Sequence, residues 1–193
     1  MAKGVIICPI GPVDEGMLDR IARHIEMRCS VACRVSAKTD IPEYAYDERR
    51  CQYNSTTILK HLIGCCPDDV LGYLGVTHVD LFVPILKYVF GLAEMEGRCA
   101  VISMCRLRPE FYDRSPDLNL LEERVKKTAL HELGHLLGLT HCKNRRCVMY
   151  SSVRIEDTDI KRADFCPTCS ELFTWRVDTC VTVHGFKGSE VQG

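Results

Sequence analysis

Residues 131–142 read HELGHLLGLTHC, and this stretch carries more information than any other part of the chain. His131 and His135 are four residues apart, so on a helix they project from one face, one turn apart. Glu132 lies beside the first imidazole, where a carboxylate can reach a water molecule held by a metal without binding the metal itself. The pattern HExxH therefore predicts a helix that carries two zinc ligands and a general base.

The residues that follow extend the pattern to a third ligand. Gly138 allows the chain to leave the helix sharply, because glycine has no Cβ to oppose a left-handed turn. That turn can bring His141 back beneath the metal. Three histidines leave the fourth position of a zinc ion open for water, which is typical of a catalytic site. We predict that zinc activates this water and polarises a scissile carbonyl, while Glu132 transfers the water proton to the leaving amine.

A second set of metal ligands begins directly after the third histidine. Cys142 and Cys147 bound the sequence CKNRRC, and Cys166 and Cys169 bound CPTC. Two short-spaced cysteine pairs separated by a loop are what a tetrahedral zinc site made of four cysteines requires. Four thiolates leave no open position, so this zinc is predicted to be structural. The chain should therefore bind two zinc ions, one catalytic and one structural.

The cysteine pairs also allow a function of another class. CKNRRC and CPTC resemble the knuckles of zinc ribbons, and Lys143, Arg145 and Arg146 would form a basic tip for binding nucleic acid or protein. A solvated loop explains these cations more simply, and the net charge of −1 gives no reason to expect nucleic acid or a membrane as partner. A cleft that binds peptide without cutting it is a further alternative, against which the intact Glu132 argues.

Composition is that of one globular domain, with 193 residues, 46% hydrophobic and 26% charged. No apolar run is long enough to cross a membrane, and MAKGVIICPIGP is too short in its apolar part to be a secretory signal. We therefore expect a cytoplasmic protein, in which 13 cysteines indicate metal binding rather than disulfides. Nine cysteines have no ligand pattern and are expected to be buried as small hydrophobic side chains: Cys8, Cys29, Cys33, Cys51, Cys65, Cys66, Cys99, Cys105 and Cys180.

The order of elements predicts an α/β fold in which a mixed sheet is backed by helices. Apolar runs bounded by turn residues predict strands at residues 4–10, 31–35, 69–76, 79–83, 89–96 and 99–106, and the last two should be neighbours. Helical spacing and capping residues predict helices at residues 14–28, from Asn54 or Ser55 to about Ile63, and from Ser115–Asp117 through the motif. After His141 we expect only short elements.

Together these motifs resemble the archaemetzincins, a family in the metzincin clan of zinc peptidases. The clan combines HExxHxxGxxH with a downstream methionine, and here Met149 lies two residues after Cys147. The family's extended pattern coincides with His131, Glu132, His135, Gly138, His141, Cys142, Cys147, Met149, Cys166 and Cys169. By analogy, Met149 forms the floor beneath the catalytic metal, whereas without the resemblance it would be read as core filler.

The resemblance implies a metzincin-like fold with one catalytic domain over residues 1–193. An N-terminal subdomain of twisted sheet and helices, residues 1–138, would lie above the metal, and a smaller C-terminal subdomain, residues 139–193, below it. A peptide or protein substrate would lie extended in the cleft between them, paired to an edge strand, for which we select residues 89–96. An inner strand is an equally good interpretation of this apolar run. The chain shows no cysteine-switch peptide, so we expect no latency through a pro-segment. We also expect a monomer.

Overall fold

The structure, a computed structural model, describes residues 4–183, with side chains described as far as Cys180. Its strands are β1 (Val5–Ile10), β2 (Cys33–Val35), β3 (Tyr46–Asp47), β4 (Gln52–Asn54), β5 (Gly72–Thr77), β6 (Leu81–Phe82), β7 (Gly91–Ala93) and β8 (Cys99–Ser103). Its α-helices are α1 (Glu15–Cys29), α2 (Ser55–Cys65), α3 (Leu118–Leu136), α4 (Ile155–Ile160) and α5 (Pro167–Val183). Within the described residues, no helix combines the length and the apolar character needed to cross a membrane.

The main sheet contains five strands in the order β2-β1-β5-β8-β7. The first four are parallel, and β7 runs antiparallel to β8. The predicted mixed sheet is therefore confirmed, as is the neighbouring position of the last two strands. β7 lies at the edge, where a substrate-binding strand was expected. Strands β3, β4 and β6 form a second, smaller sheet that the sequence analysis did not anticipate.

Helices cover the main sheet on both faces, which explains why all six residues of β1 are buried. Successive strand side chains point to opposite faces. Val5 and Ile7 accordingly pack in one core with residues of α1 and α3, whereas Ile6 and Cys8 pack in the other with residues of α2. A strand buried on both faces has a continuous apolar sequence. This packing sets α3, the helix of the HExxH motif, directly against the sheet.

A capping residue and a buried ion pair hold α3 in place. Asp117 precedes the helix and accepts a hydrogen bond from Leu120 N at 2.9 Å. Arg124 is 0% exposed, and its Nε and Nη2 contact the two carboxylate oxygens of Asp159 at 2.7 and 2.8 Å. Its Nη1 donates to Leu107 O at 3.0 Å. This two-pronged geometry satisfies the guanidinium and fixes α4 against α3.

The structure corrects the sequence analysis mainly in the lengths of elements. β7 contains three residues instead of the eight predicted, and β2 contains three instead of five. The expectation of only short elements after His141 was wrong, because α5 is a helix of 17 residues. Its apolar residues do not share one face: Phe173 is buried, whereas Leu172 and Trp175 are exposed. The amphipathic pattern that would have revealed this helix is therefore absent.

The nine cysteines without a ligand pattern do not form one group. Cys8, Cys29 and Cys99 are buried, as expected for small hydrophobic side chains. Burial raises the pKa of the Cys29 thiol to about 12, so this side chain is a neutral thiol. The prediction of burial was wrong for Cys51 and Cys65, which are exposed. Cys51 lies in a turn, and Cys65 is the last residue of α2.

Candidate active site and metal centres

The three histidines converge at the C-terminal end of α3. The ring centroids of His131 and His135, one helical turn apart, are separated by 4.6 Å. Beyond the helix, the N–H groups of Gly138 and Leu139 bond back to carbonyls of the last turn at 3.0 and 2.9 Å, which is a Schellman motif. Gly138 has a φ of +79°, which glycine adopts without steric cost. The turn reverses the chain and brings His141 to the other two rings.

Backbone carbonyl groups orient two of the imidazoles. His131 Nδ1 lies 2.8 Å from Val148 O, and His135 Nδ1 lies 2.7 Å from Leu139 O. A carbonyl oxygen can only accept a hydrogen bond, so Nδ1 carries the proton in each neutral ring and Nε2 keeps its lone pair. The two Nε2 atoms face each other at 3.2 Å. Lone pairs at this distance repel each other unless a cation lies between them.

The distances among the imidazoles fit a zinc ion. The ligand nitrogens of His131, His135 and His141 all lie within 4.8 Å of one another. Tetrahedral zinc with nitrogens at about 2.0–2.1 Å places two of them about 3.3 Å apart, close to the separation observed between the first two rings. Burial lowers the pKa of each imidazole, so that the neutral form, which binds metal, predominates at neutral pH.

Glu132 is buried against the edge strand. A Cβ atom built on Gly91 of β7 would lie 2.6 Å from Glu132 Oε1, so only glycine leaves room for the carboxylate at this position. Burial raises the pKa of Glu132 to about 8, and the positive charge of Lys161 opposes this increase. A raised pKa makes the ionised carboxylate a stronger proton acceptor, as a general base requires.

Met149 packs directly on the motif helix. It is 0% exposed, and a Cβ atom on Gly134 would overlap its Sδ. Gly134 lies between the two histidines of α3, so the thioether rests against the turn that carries them. Met149 O accepts a hydrogen bond from Cys142 N at 2.9 Å, which ties this segment to the residue after His141. The floor position that the resemblance implies for Met149 stays a prediction.

The four cysteines of the second set also come together. Their Sγ atoms lie within 4.8 Å of one another. Cys142 Sγ and Cys166 Sγ are 3.9 Å apart, and tetrahedral zinc with sulfurs at about 2.3 Å requires about 3.8 Å. The N–H groups of Asn144 and Cys166 donate to the sulfur atoms of Cys142 and Cys147 at 3.4 and 3.3 Å. Such hydrogen bonds stabilise thiolates, which are the form that binds metal.

The pKa shifts of the clustered thiols also favour the binding of a cation. Burial and then the hydrogen bond to Cys166 raise the pKa of Cys169. Burial also acts to raise the pKa of Cys166, but hydrogen bonds from the Cys169 backbone and from neighbouring thiols outweigh it, and this pKa falls. The first thiolate to form therefore opposes ionisation of the others unless a cation neutralises it. The donor set fits a closed, structural zinc site.

The two ligand sets share short pieces of backbone. His141 of the first set is followed directly by Cys142 of the second. Cys147 supplies a sulfur atom to the second set. The next residue, Val148, orients His131 through its carbonyl, and Met149 packs on α3. A shift of the cysteine cluster would therefore displace the histidine cluster as well.

The histidine cluster opens into a cleft of about 700 Å³. One wall is β7 with the segment before it, and the other is formed by residues 151–154. Apolar side chains predominate on these walls, and they include Tyr88, Phe90, Leu92, Met95 and Val153.

Two contributors to this cleft were not identified from the sequence. Gly91 lies within an apolar run, where nothing signals that a carboxylate from another element approaches it. Lys161 precedes Arg162, and the pair has the pattern of a charged surface, but Lys161 is 4% exposed whereas Arg162 is exposed. No spacing rule links a lysine to Glu132 across 29 positions. Only the tertiary structure reveals their proximity.

Three histidines and a buried glutamate, in a cleft bordered by an edge strand, define the class of protein as a zinc metallopeptidase. Peptidase family M54 matches residues 14–174 of the chain. An archaemetzincin of Methanocaldococcus jannaschii is 43% identical over 169 residues, which is 88% of this chain and 92% of that protein. The chain belongs to peptidase family M54, the archaemetzincins, and is a zinc metallopeptidase.

Solved structures agree with this assignment. The crystal structure of an archaemetzincin from Methanopyrus kandleri has a TM-score of 0.82 and 33% identity, and covers 92% of this chain and 97% of its own. A zinc-dependent peptidase from Methanocorpusculum labreanum has a TM-score of 0.80 and 29% identity, with coverages of 88% and 100%. The similarity therefore extends over the fold as well as the motif residues.

Proposed function

We propose that this chain hydrolyses peptide bonds with Glu132 as the general base, at a zinc ion held by His131, His135 and His141. The observation that supports this most directly is the Glu132 carboxylate, which is buried in the same cleft as the three converging imidazoles. Zinc bound there would supply an activated water molecule and polarise the scissile carbonyl. Glu132 accepts a proton at a carboxylate oxygen and delivers it to the leaving amine.

The substrate is proposed to add to the sheet as a strand beside β7. Backbone hydrogen bonds connect Phe90 O and Glu94 N to β8 at 2.8 and 2.9 Å. Such bonds alternate along an antiparallel strand, so Gly91 and Ala93 present their N–H and C=O groups to the opposite, unpaired edge. An extended peptide can pair there. Because Gly91 contacts Glu132, a peptide in this position passes close to the base.

The metal content proposed is two zinc ions per chain. The histidine set leaves one coordination position for water, and the exposed His141 leaves it accessible from solvent. The cysteine set is closed, and Cys147 within it is 1% exposed. Cys142, Cys147, Cys166 and Cys169 therefore serve a structural role, with binding energy that contributes to folding.

The experiment that tests the general base is Glu132→Gln, which conserves shape but removes the proton acceptor. We expect zinc content and melting temperature to stay close to wild type and peptide turnover to fall by about 10²–10⁴-fold. Glu123→Gln, on an exposed position of the same helix, is the matched control and should retain full activity. Products of a peptide-library digest are read by mass spectrometry. Equal turnover by wild type and Glu132→Gln would contradict the assignment.

A further inference from the structure

A buried ammonium group lines the cleft beside the base. Lys161 directly follows α4 and borders the cleft together with Glu132, His131 and His141. It is 4% exposed, and its Nζ donates a hydrogen bond to Tyr150 O at 2.8 Å. An ammonium group has three N–H donors, so this bond leaves two for other partners. A group bound in the cleft is in a position to accept them.

Among the described residues, no ion pair includes Lys161. The carboxylate of Asp157, one helical turn earlier, accepts the N–H groups of Val153 and Arg154 at 3.0 and 2.9 Å. Of the described residues, the one carboxylate that lines the cleft is Glu132, which is assigned to proton transfer. Burial lowers the pKa of Lys161, and the charge of Glu132 opposes this decrease. A buried charge of this kind is unfavourable until a group of opposite charge pairs with it.

Of the described lysine and arginine side chains that line the cleft, Lys161 is the buried one. The other lysine and arginine side chains on its walls, Lys87 and Arg154, are at exposed positions, where solvent and salt screen their charges. Buried apolar side chains such as Phe90 also line the cleft. Apolar surroundings exclude water and reduce the screening of charges, so the field of the buried ammonium acts over a longer distance in the cleft. Charge complementarity therefore favours an anionic ligand.

We propose that Lys161 binds a carboxylate of the substrate, so that the enzyme prefers peptides carrying an acidic side chain or a free C-terminal carboxylate next to the scissile bond. This specificity rests on the proposed peptidase function. The ammonium and the carboxylate form a charge-assisted hydrogen bond, which is stronger than one to a neutral amide. Replacing the carboxylate by an amide should lower kcat/KM by about tenfold or more.

The test uses matched peptides of one cleavable sequence. One pair carries Glu or Gln beside the scissile bond, and a second pair ends in a free or an amidated C-terminus, so the two arms identify the source of the carboxylate. Wild type should prefer the acid of at least one pair by about tenfold or more, mainly through KM. Lys161→Gln keeps an N–H donor for Tyr150 O but removes the charge, and should make the preference disappear. Lys161→Arg keeps the charge and should retain most of it.

Lys87→Gln is the control, because it removes one exposed cation from the same cleft. It should leave the preference for acids unchanged. If Lys161→Gln retained the full preference, Lys161 would serve only to support the Tyr150 carbonyl, and carboxylate binding would be refuted. An equal loss of preference in Lys87→Gln would also refute it, because the effect would then come from the general field of the cleft. Melting temperatures show whether each variant is folded.

Binding distinguishes this inference from hydrolysis itself. In a Glu132→Gln background, which leaves peptides intact, fluorescence anisotropy measures Kd for labelled forms of the two peptides in the preferred pair. The acid should bind about tenfold more tightly than its amide, and Lys161→Gln in the same background should equalise them. Selective binding without cleavage by wild type would contradict the proposed hydrolysis but support carboxylate recognition. Efficient cleavage with equal Kd values and equal kcat/KM would support hydrolysis and overturn carboxylate recognition.

Discussion

Two glycines create space for the side chains that matter most at the catalytic centre. Gly91 faces the Glu132 carboxylate, and Gly134 faces the Met149 thioether. Neither has a positive φ, so neither is required by a turn. What the two positions need is the absence of a Cβ, because another element approaches at van der Waals distance. The geometry of the HExxH motif therefore depends on the residues packed around it as much as on its own fixed residues.

Gly91→Ala should misplace Glu132, the proposed general base, without removing it. The added methyl group would lie 2.6 Å from Glu132 Oε1, so the carboxylate must move away from the position it occupies. Because a displacement of about 1 Å at a reacting group can cost about 10²-fold in rate, we expect a loss of that order in kcat. Zinc content should be unchanged. Gly64→Ala, where nothing lies within 4 Å of the added methyl group, is the control. Full activity of Gly91→Ala would show that Glu132 works from another rotamer.

Met149 should tolerate a change of chemistry but not of charge. Its proposed role is packing, since three histidines and water already fill the zinc coordination. Met149→Leu nearly conserves volume and should cost less than about 1.5 kcal/mol, with activity largely retained. Met149→Glu buries an unpaired charge against α3 and should lose catalytic zinc and activity. Metal analysis and thermal unfolding measure both. Loss of zinc from a folded Met149→Leu protein would instead indicate ligation by sulfur.

Among the helices and strands, those whose structure follows from local sequence were predicted well. α3 has its cap at Asp117, its ligands one turn apart and its Schellman glycine, all of which depend on residues within a few positions of one another. β7 was predicted at an edge but too long, because its ends depend on pairing with β8, which sequence periodicity does not report. α5 was missed because its helical faces are not separated into polar and apolar sides.

The cysteine cluster should fix the beginning of α5. Cys169 lies in the first turn of that helix, and Cys166 precedes it. Cys169→Ser should release one zinc ion and destabilise the C-terminal segment, because metal binding here contributes to folding free energy. Activity should fall indirectly, since Cys142 adjoins His141. Cys51→Ser, at an exposed position outside the cluster, is the control. Unchanged zinc content, melting temperature and activity in Cys169→Ser would refute the structural role.

Across the whole molecule, the sequence predicted the candidate reacting groups but not the cleft around them. The ligand spacings of the two proposed metal sites, within residues 131–169, are local and follow from coordination chemistry. The partners that α3 gains from the rest of the chain were not foreseen, among them Gly91 from the sheet and Lys161 after α4. These contacts join residues that are about 30 or more positions apart and depend on the packing of whole elements. The chemistry of the site was therefore predictable, whereas features that bear on its specificity were not.

The two proposed metal sites should lose their zinc ions one after the other when a chelator is added. The histidine site has an open position and an exposed ligand, His141, so a mild chelator should remove its zinc first. The fold should persist, because the core of α3 and the cysteine site remain, and added zinc should restore peptide turnover. The closed cysteine site should lose zinc only under stronger chelation, together with melting of the C-terminal segment. Metal analysis, circular dichroism and turnover are followed in one titration. Simultaneous loss of both zinc ions with unfolding would show that the shared backbone makes the two sites a single cooperative unit.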